Sequence, residues 1–149
     1  MKNYVLATQL KYIKQTINMN LAEISNDESC IAPSSGGSSM NWIMGHLITQ
    51  TPGMLKAAGS SEEIKDIEKY NELYGRGKPN VTADTALKLE NILELYNSTH
   101  DNLIKQLEEN EIEGEENLTT LTVLTFHETY HDGQIGTLRR VLGKDSVIK

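Results

Sequence analysis

The apolar residues of this chain recur at intervals of three and four, and this spacing is the feature that most restricts its fold. Residues at such intervals share one face of an α-helix, and the first set predicts a helix over roughly residues 3–26. No segment alternates apolar and polar residues with the period of two that a strand requires. The sequence therefore predicts an all-α protein. The first set consists of Leu6, Leu10, Ile13, Ile17, Leu21 and Ile24.

Prolines and glycines divide the remaining sequence into three further long helical blocks. A shorter helical piece is predicted within the polar stretch 60–83, and Pro52 is expected to kink the second long helix or to shift its start. Four helices of about 20–25 residues would each be about 30–38 Å long, which suits an up-down four-helix bundle. The predicted ranges of the three further helices are 38 or 39 to 59, 83 or 85 to about 109, and 117 or 119 to 143.

Length and composition exclude several classes of protein. The 149 residues predict a single domain over 1–149. The net charge of -7 argues against nucleic-acid binding, because affinity for phosphate backbones comes from clustered Lys and Arg. No apolar run is long enough to span a bilayer, so no membrane partner is expected. The stretch MKNYVLATQLKYIKQ lacks a signal-peptide pattern, and the single Cys30 cannot form an intramolecular disulfide, so we expect a cytoplasmic protein.

Two histidines in the last helix are placed to bind one metal ion. His127 and His131 are four residues apart, about one helical turn, so both lie on the same face. They continue the apolar stripe between Leu124 and Ile135, which directs both rings toward the interior. A buried polar side chain without a partner costs about 1–3 kcal/mol. Each ring therefore needs either a hydrogen-bonding neighbour in the core or a metal ion.

The second long helix carries a third histidine in a distinctive setting. His46 directly follows Gly45 and lies one turn after Trp42, the only tryptophan, which is expected to anchor the core. Glycine inside a helix costs about 1 kcal/mol relative to alanine, so Gly45 indicates the close approach of another element or of a ligand. His100 lies one turn after Tyr96 at the edge of the third helix's apolar stripe, and is expected to be exposed or half-buried.

Together these residues resemble the DinB/YfiT-like metalloenzyme superfamily. The resemblance rests on the segment W-x-x-G-H-L at 42–47 and on the pattern H-x-x-x-H-x-x-Q at 127–134, which Arg139 and Arg140 follow. It covers nearly the whole chain and implies a four-helix bundle that binds a divalent metal through three histidines. The positions that match the family's ligands are His46, His127 and His131.

The chemistry of three imidazoles favours a catalytic rather than a structural metal site. Such a ligand set leaves coordination positions open for water or a substrate. Zinc and nickel both suit imidazole, and either can lower the pKa of a bound water or deprotonate a bound thiol. Each ring should also hydrogen-bond through its other nitrogen, for which Thr49, Gln50 and Gln134 are candidates. Glu128 and Gln50 are the candidate catalytic residues.

The resemblance also implies a range of activities. Relatives of this superfamily include S-transferases and isomerases that use low-molecular-weight thiols such as bacillithiol or mycothiol, and others look like metal-dependent hydrolases. A small-molecule substrate and a homodimer are therefore expected. Arg139 and Arg140 are candidates for binding an anionic cosubstrate, although positive charge near a helix C-terminus is also favourable by itself. The alternative is a non-catalytic protein that holds a metal or small ligand; Cys30, with no histidine near it in sequence, is expected to be incidental.

The string HETYH at 127–131 also matches the H-E-x-x-H motif of metallopeptidases, in which Glu128 would be the general base. We discount this alternative because residues 132–149 contain no histidine or glutamate for a third ligand. In addition, no sheet or second domain is predicted to form a peptide cleft, so Glu128 is expected on a polar face or in support of the metal ligands. A di-iron centre would need a second Glu-x-x-His, which the sequence does not contain.

Overall fold

Six α-helices and no strand are found in residues 3–148, the part of the chain that this computed structural model describes. The all-α prediction is confirmed over that range, and residues 1, 2 and 149 of the predicted domain lie outside it. None of the six helices is both long and apolar enough to cross a membrane. The helices are α1 (Tyr4–Leu21), α2 (Asn26–Ser29), α3 (Met40–Ala57), α4 (Ile67–Tyr74), α5 (Leu89–Glu109) and α6 (Glu115–Val141).

The four long helices pack around one apolar core. α1 lies against α5 and α6, and α3 lies against the same two helices. The faces that meet carry apolar residues at the predicted positions; Leu10 and Ile17 of α1 and Leu103 of α5, for example, are all 0% exposed. The periodicity of the sequence therefore identified both the helices and the sides on which they pack.

The first predicted helix ends earlier than expected. α1 stops at Leu21 and does not continue to residue 26, because Ala22 has a non-helical ψ of 133° and Glu23 then adopts a left-handed φ of 63°. Ser25 then begins the separate helix α2 with a reciprocal cap: its hydroxyl accepts a hydrogen bond from the Glu28 amide, and the Glu28 carboxylate accepts one from the Ser25 amide. The single predicted helix is therefore two helices joined by a sharp turn.

The third and fourth predicted helices also have different starts. α5 begins at Leu89, several residues later than predicted, because the Thr85 hydroxyl accepts a hydrogen bond from the Thr82 amide at 3.0 Å and closes a separate turn. α6 begins at Glu115, two residues before the earlier predicted position of 117. For α5, local hydrogen bonding that the apolar spacing does not encode decides where the helix begins.

α3 is the most completely buried of the long helices. Thirteen of its 18 residues are buried, because α4 packs against it in addition to α5 and α6. The predicted cap at Ser39 is present, since its hydroxyl accepts a hydrogen bond from the Trp42 amide at 3.3 Å. α3 continues through Pro52, so the proline does not shift the start of the helix.

Gly45 allows α4 to approach α3 closely. A Cβ atom added at Gly45 would lie 2.3 Å from Cγ of Tyr74, so the Tyr74 ring occupies the space that any other side chain would fill. The Tyr74 ring is 0% exposed, and its hydroxyl donates to Asn41 Oδ1 at 2.8 Å and accepts from the Leu87 amide at 2.9 Å. The close approach predicted for Gly45 is therefore confirmed, and Tyr74 is the residue that makes it.

Two glycine substitutions in α3 test this packing. Gly45→Ala is expected to lower the free energy of unfolding by about 1–3 kcal/mol, because the new methyl group and the Tyr74 ring cannot share one space. Gly53→Ala is the matched control, since its Cβ would meet only Leu124 Cδ1 at an ordinary 3.6 Å. The control should raise stability by about 0.5–1 kcal/mol through helix propensity alone. Urea unfolding of both variants measures the difference, and equal effects would contradict the contact.

Candidate metal centre

Three histidines from two helices meet at one point of the structure. His46 comes from α3, and His127 and His131 come from successive turns of α6. One nitrogen atom of each ring lies within 4.8 Å of the others, a grouping that could hold a metal ion. His46 and His131 are buried and His127 is half-buried. The structure thus brings together the three residues that the sequence singled out.

Hydrogen bonds determine which nitrogen of each buried ring faces the centre. Nδ1 of His46 donates to the main-chain carbonyl of Tyr74 at 2.9 Å. Nδ1 of His131 donates to Oε1 of Gln134 at 2.7 Å, as expected of Gln134. A neutral imidazole carries one N–H, so both rings keep a lone pair on Nε2. These are the outer contacts that metal-binding histidines usually make.

His127 completes the donor set. Its Nε2 lies 3.1 Å from Nε2 of His131, whereas nitrogens bound at about 2.0–2.1 Å to one tetrahedral ion lie about 3.3 Å apart. The His46 ring meets the His127 and His131 rings edge-on, at centroid distances of 5.3 and 5.4 Å. Nδ1 of His127 is buried without a hydrogen-bond partner among residues 3–148. The three ring nitrogens are therefore close enough together that they could hold one metal ion.

Burial keeps two of these rings in the form that binds metal. Removal from water lowers the pKa of His131 to about 4, with smaller contributions from the neighbouring His127 and His46. The pKa of His127 is also lowered, first by burial and then by the proximity of His46. Both rings are therefore neutral near pH 7, and only a neutral imidazole can donate its lone pair to a metal.

Trp42 supports the His46 ring from one side. The two rings are stacked, with centroids 4.8 Å apart and planes inclined by 13°. Trp42 is 8% exposed, in agreement with its expected role in the core, and its Nε1 is buried without a hydrogen-bond partner among the described residues. Together with the hydrogen bond to Tyr74, this stacking fixes the orientation of His46.

The partner of His46 was not among the candidates from the sequence. Thr49 and Gln50 were proposed for that role, but Gln50 donates to the Thr49 hydroxyl at 3.0 Å, and Thr49 donates to the main-chain carbonyl of His46 at 2.6 Å. The acceptor for the ring is the Tyr74 carbonyl. A main-chain carbonyl has no side-chain signal, so only the unusual Gly45 indicated that another element lies here.

Glu128, the other catalytic candidate, belongs to a different cluster. It is 0% exposed, so the expectation of a polar face is wrong, and it does not belong to the three-histidine group. Its Oε1 lies 2.8 Å from Nε2 of His100, and its Oε2 accepts a hydrogen bond from the Tyr96 hydroxyl at 3.2 Å. Burial raises the pKa of Tyr96 well above its usual value, so the phenol remains a donor. Both carboxyl oxygens are thus engaged toward α5.

His100 is fully buried, at 0% exposure, and the prediction of an exposed or half-buried ring is wrong. Its Nδ1 lies 2.9 Å from the Tyr96 carbonyl and its Nε2 lies 2.8 Å from Glu128. Each of these two nitrogen–oxygen contacts needs a proton between its atoms, which makes two protons. A neutral imidazole and a carboxylate together supply only one. The pair is therefore imidazolium with carboxylate or imidazole with carboxylic acid, and its net charge is zero in either form.

The two C-terminal arginines differ in environment. Arg139 is 5% exposed, and its guanidinium donates to the main-chain carbonyls of Asn20, Ala22 and Asp145 at 2.6–3.0 Å. It ties the end of α1 to the segment after α6, an arrangement that gives no support to anion binding. Arg140 is exposed, and its predicted role in binding a cosubstrate stays a prediction.

A different arginine influences the charge of His127. Arg76 is exposed in the loop after α4, two residues beyond Tyr74, and its positive charge contributes to the lowered pKa of His127. Among residues 3–148 its side chain makes no hydrogen bond or ion pair. The apolar spacing could not identify it, because it lies in the irregular string GRGKPN at 75–80.

Cys30 lies outside the three-histidine group. It is half-buried at the end of α2, and burial raises the pKa of its thiol. Its Sγ lies 3.9 Å from the Ser29 hydroxyl. A thiol with a raised pKa forms little thiolate near neutral pH, which agrees with an incidental role.

A surface cleft of about 380 Å³ lies near His131, although none of the three histidines lines it. It lies between the Ser/Gly loop, including Gly36 and Gly37, and the α6 residues Tyr130 and Gln134. Tyr130 contacts the His131 ring edge-on at a centroid distance of 5.4 Å, and Gln134 hydrogen-bonds it. The cleft is large enough for a small organic molecule.

A scan against protein-family models found no model that matches this chain, and a search of curated proteins found no significantly similar sequence. The DinB/YfiT-like resemblance therefore stays a prediction that rests on the residues quoted for it.

The buried pair formed by His100 of α5 and Glu128 of α6 can be tested by replacing one partner or both. His100→Leu and Glu128→Leu each leave a buried polar group without its partner, and each should lower the free energy of unfolding by about 3–5 kcal/mol. The double variant replaces both by apolar side chains and should lose less than either single variant. Urea unfolding of the three proteins measures these values. Additive losses would contradict a mutually neutralised pair.

Proposed function

We propose that this chain is a metal-binding protein of the DinB/YfiT-like type, with its four long helices as an up-down bundle, and that it is a metal-dependent enzyme that activates a small nucleophile. The observation that carries the proposal is the convergence of His46, His127 and His131, whose ring nitrogens lie within 4.8 Å of one another. No carboxylate or thiol of residues 3–148 joins that group.

The donor set supports a catalytic site. Three protein ligands are one fewer than a structural zinc site uses, and His127 is only half-buried. Zinc or nickel suits three imidazoles best. When bound, a divalent ion would lower the pKa of a water molecule or a thiol toward neutrality. His46 and His131 are already oriented for this by Tyr74 and Gln134.

The surroundings favour thiol transfer over hydrolysis. Hydrolytic sites usually add a general base, but both carboxyl oxygens of Glu128 are engaged with His100 and Tyr96, and Gln50 is not a base. A thiol that is deprotonated by coordination needs no such residue. We therefore propose a low-molecular-weight thiol, such as bacillithiol, as the cosubstrate, with the electrophile in the cleft beside Tyr130 and Gln134.

A second candidate function is a non-catalytic protein that binds metal or a small ligand. The same observation supports it, because a site without a free acid or base can hold a ligand without converting it. The two candidates make the same prediction for metal content and differ in turnover.

Metal content is the first test. The protein purified without an affinity tag should hold about one equivalent of zinc or nickel, and His131→Ala should abolish binding. Metal at 100 times its dissociation constant should add about 2.7 kcal/mol of stability, so the thermal midpoint should rise with added metal in the native protein only. The control is Thr137→Ala, an exposed position on the same helix, which should respond like the native protein.

Less than about 0.2 equivalents after reloading, or stoichiometric metal in His131→Ala, would overturn the metal site. Turnover then separates the two functions. Electrophiles should be screened on the metal-loaded protein with bacillithiol, cysteine or glutathione and without any thiol. Thiol-dependent turnover supports the transferase, thiol-independent turnover supports the hydrolase, and metal without turnover supports the binding protein.

A further inference from the structure

The surface cleft beside α6 has one wall that is held in place by hydrogen bonds. It has a volume of about 380 Å³ and lies between the Ser/Gly loop and α6. Asn80 holds that loop at two points: its Oδ1 accepts a hydrogen bond from the Ser39 amide at 2.9 Å, and its Nδ2 donates one to the Gly37 carbonyl at 2.9 Å. The Gly36 amide donates to the Pro33 carbonyl at 3.0 Å and closes a turn within the loop. The cleft is therefore preformed, as small-molecule sites usually are.

The opposite wall, on α6, carries a chain of hydrogen-bonded side chains. Nδ1 of His131 donates to Oε1 of Gln134 at 2.7 Å, and Nε2 of Gln134 donates to the Tyr130 hydroxyl at 3.2 Å. Gln134 and Tyr130 both line the cleft, whereas His131 does not. Tyr130 is 59% exposed, and its ring contacts the His131 ring edge-on at a centroid distance of 5.4 Å. The chain thus leads from a buried histidine to a hydroxyl group at the cleft.

The direction of this chain decides what Tyr130 can offer to a ligand. Because the neutral His131 ring donates from Nδ1, the side-chain oxygen of Gln134 accepts and its amide nitrogen donates. The Tyr130 oxygen accepts that second bond, and its O–H donates to no group within residues 3–148. The hydroxyl proton therefore remains available to an acceptor atom of a molecule in the cleft.

The rest of the lining limits what that molecule can be. No charged residue lines the cleft, and the residues beside Tyr130 and Gln134 are small or apolar, among them Pro33, Gly37 and Leu138. A charged ligand would lose hydration here without gaining a counter-charge. An uncharged molecule with one acceptor oxygen fits both properties, since its apolar body can cover the lining while its oxygen accepts from Tyr130.

We propose that the cleft binds a small, uncharged carbonyl compound and that the Tyr130 hydroxyl recognises its oxygen. Gln134 is a positioning residue, because it sets the direction in which that hydroxyl donates. This inference narrows the class of electrophile that the proposed function places in the cleft. It rests on that function for the reactivity of the ligand only, since binding requires no turnover.

The test compares two probes of nearly the same shape, acetophenone and isopropenylbenzene, in which a methylene group replaces the carbonyl oxygen. Each is titrated into the isotopically labelled protein, and NMR shifts of the Gly36 and Gly37 amides report binding in the cleft. The native protein should bind acetophenone about three- to tenfold more tightly, the range that one neutral hydrogen bond provides. Tyr130→Phe should remove this preference. Tyr12→Phe is the matched control, since Tyr12 is 65% exposed on α1, and it should keep the preference.

A second variant tests the direction of the chain. Gln134→Glu places a carboxylate, which can only accept hydrogen bonds, between His131 and Tyr130. The Tyr130 hydroxyl should then donate to that carboxylate and no longer to a ligand. The variant should therefore bind acetophenone as weakly as Tyr130→Phe does, while its affinity for isopropenylbenzene stays within about twofold of the native value. If Gln134 only maintained the shape of the cleft, both probes would bind more weakly by the same factor.

The outcomes separate this inference from the function it rests on. The inference is overturned if the native protein binds both probes equally, if neither probe shifts Gly36 and Gly37, or if Tyr130→Phe or Gln134→Glu keeps the native preference. None of these results alters metal content or thiol-dependent turnover, so the proposed function would stand with its electrophile bound elsewhere. Conversely, probe binding as predicted in a metal-loaded protein that shows no turnover leaves the cleft assignment intact and removes the enzyme.

Discussion

The contact between Tyr74 and the backbone of α3 is the interaction on which the candidate site depends. The absence of a side chain at Gly45 admits the Tyr74 ring, and the ring's hydroxyl connects Asn41 to the Leu87 amide just before α5. The carbonyl of the same residue orients His46. Tyr74 thus joins α3, α4 and the segment before α5 while setting one metal ligand. The same contact therefore sets both the packing of the core and the orientation of His46.

α6 carries buried polar residues on two of its faces, and the charge of each group is suppressed or balanced in a different way. His127 and His131 face α3, where burial lowers the pKa of both rings and keeps them uncharged. Glu128 is about 100° around the helix from His127 and about 60° from His131, and it faces α5, where His100 balances its charge. Glu128 is therefore not one of the three grouped donors, although its charge still acts on His127 and His131.

Much of this arrangement follows from the sequence. The parts that do not follow from it all have the same physical cause. Apolar spacing gave the long helices, and Gly45 indicated a close approach, because both are properties of side chains along one helix. The acceptor for His46 is a main-chain carbonyl, which any residue at position 74 would provide. His100 is buried because it meets Glu128 across two helices, and spacing within α5 alone cannot reveal that. The starts of α2 and α5 depend on local hydrogen bonds that periodicity does not encode.

X-ray absorption at the metal edge of the zinc- or nickel-loaded protein tests the central claim most directly, because it counts and identifies the ligands. The account predicts three imidazole nitrogens at about 2.0–2.1 Å, with the remaining positions filled by water and no sulfur ligand. Addition of a low-molecular-weight thiol should introduce one sulfur at about 2.3 Å while the three imidazoles remain. A spectrum with fewer than three imidazoles, or with protein sulfur before any thiol is added, would contradict the three-histidine centre.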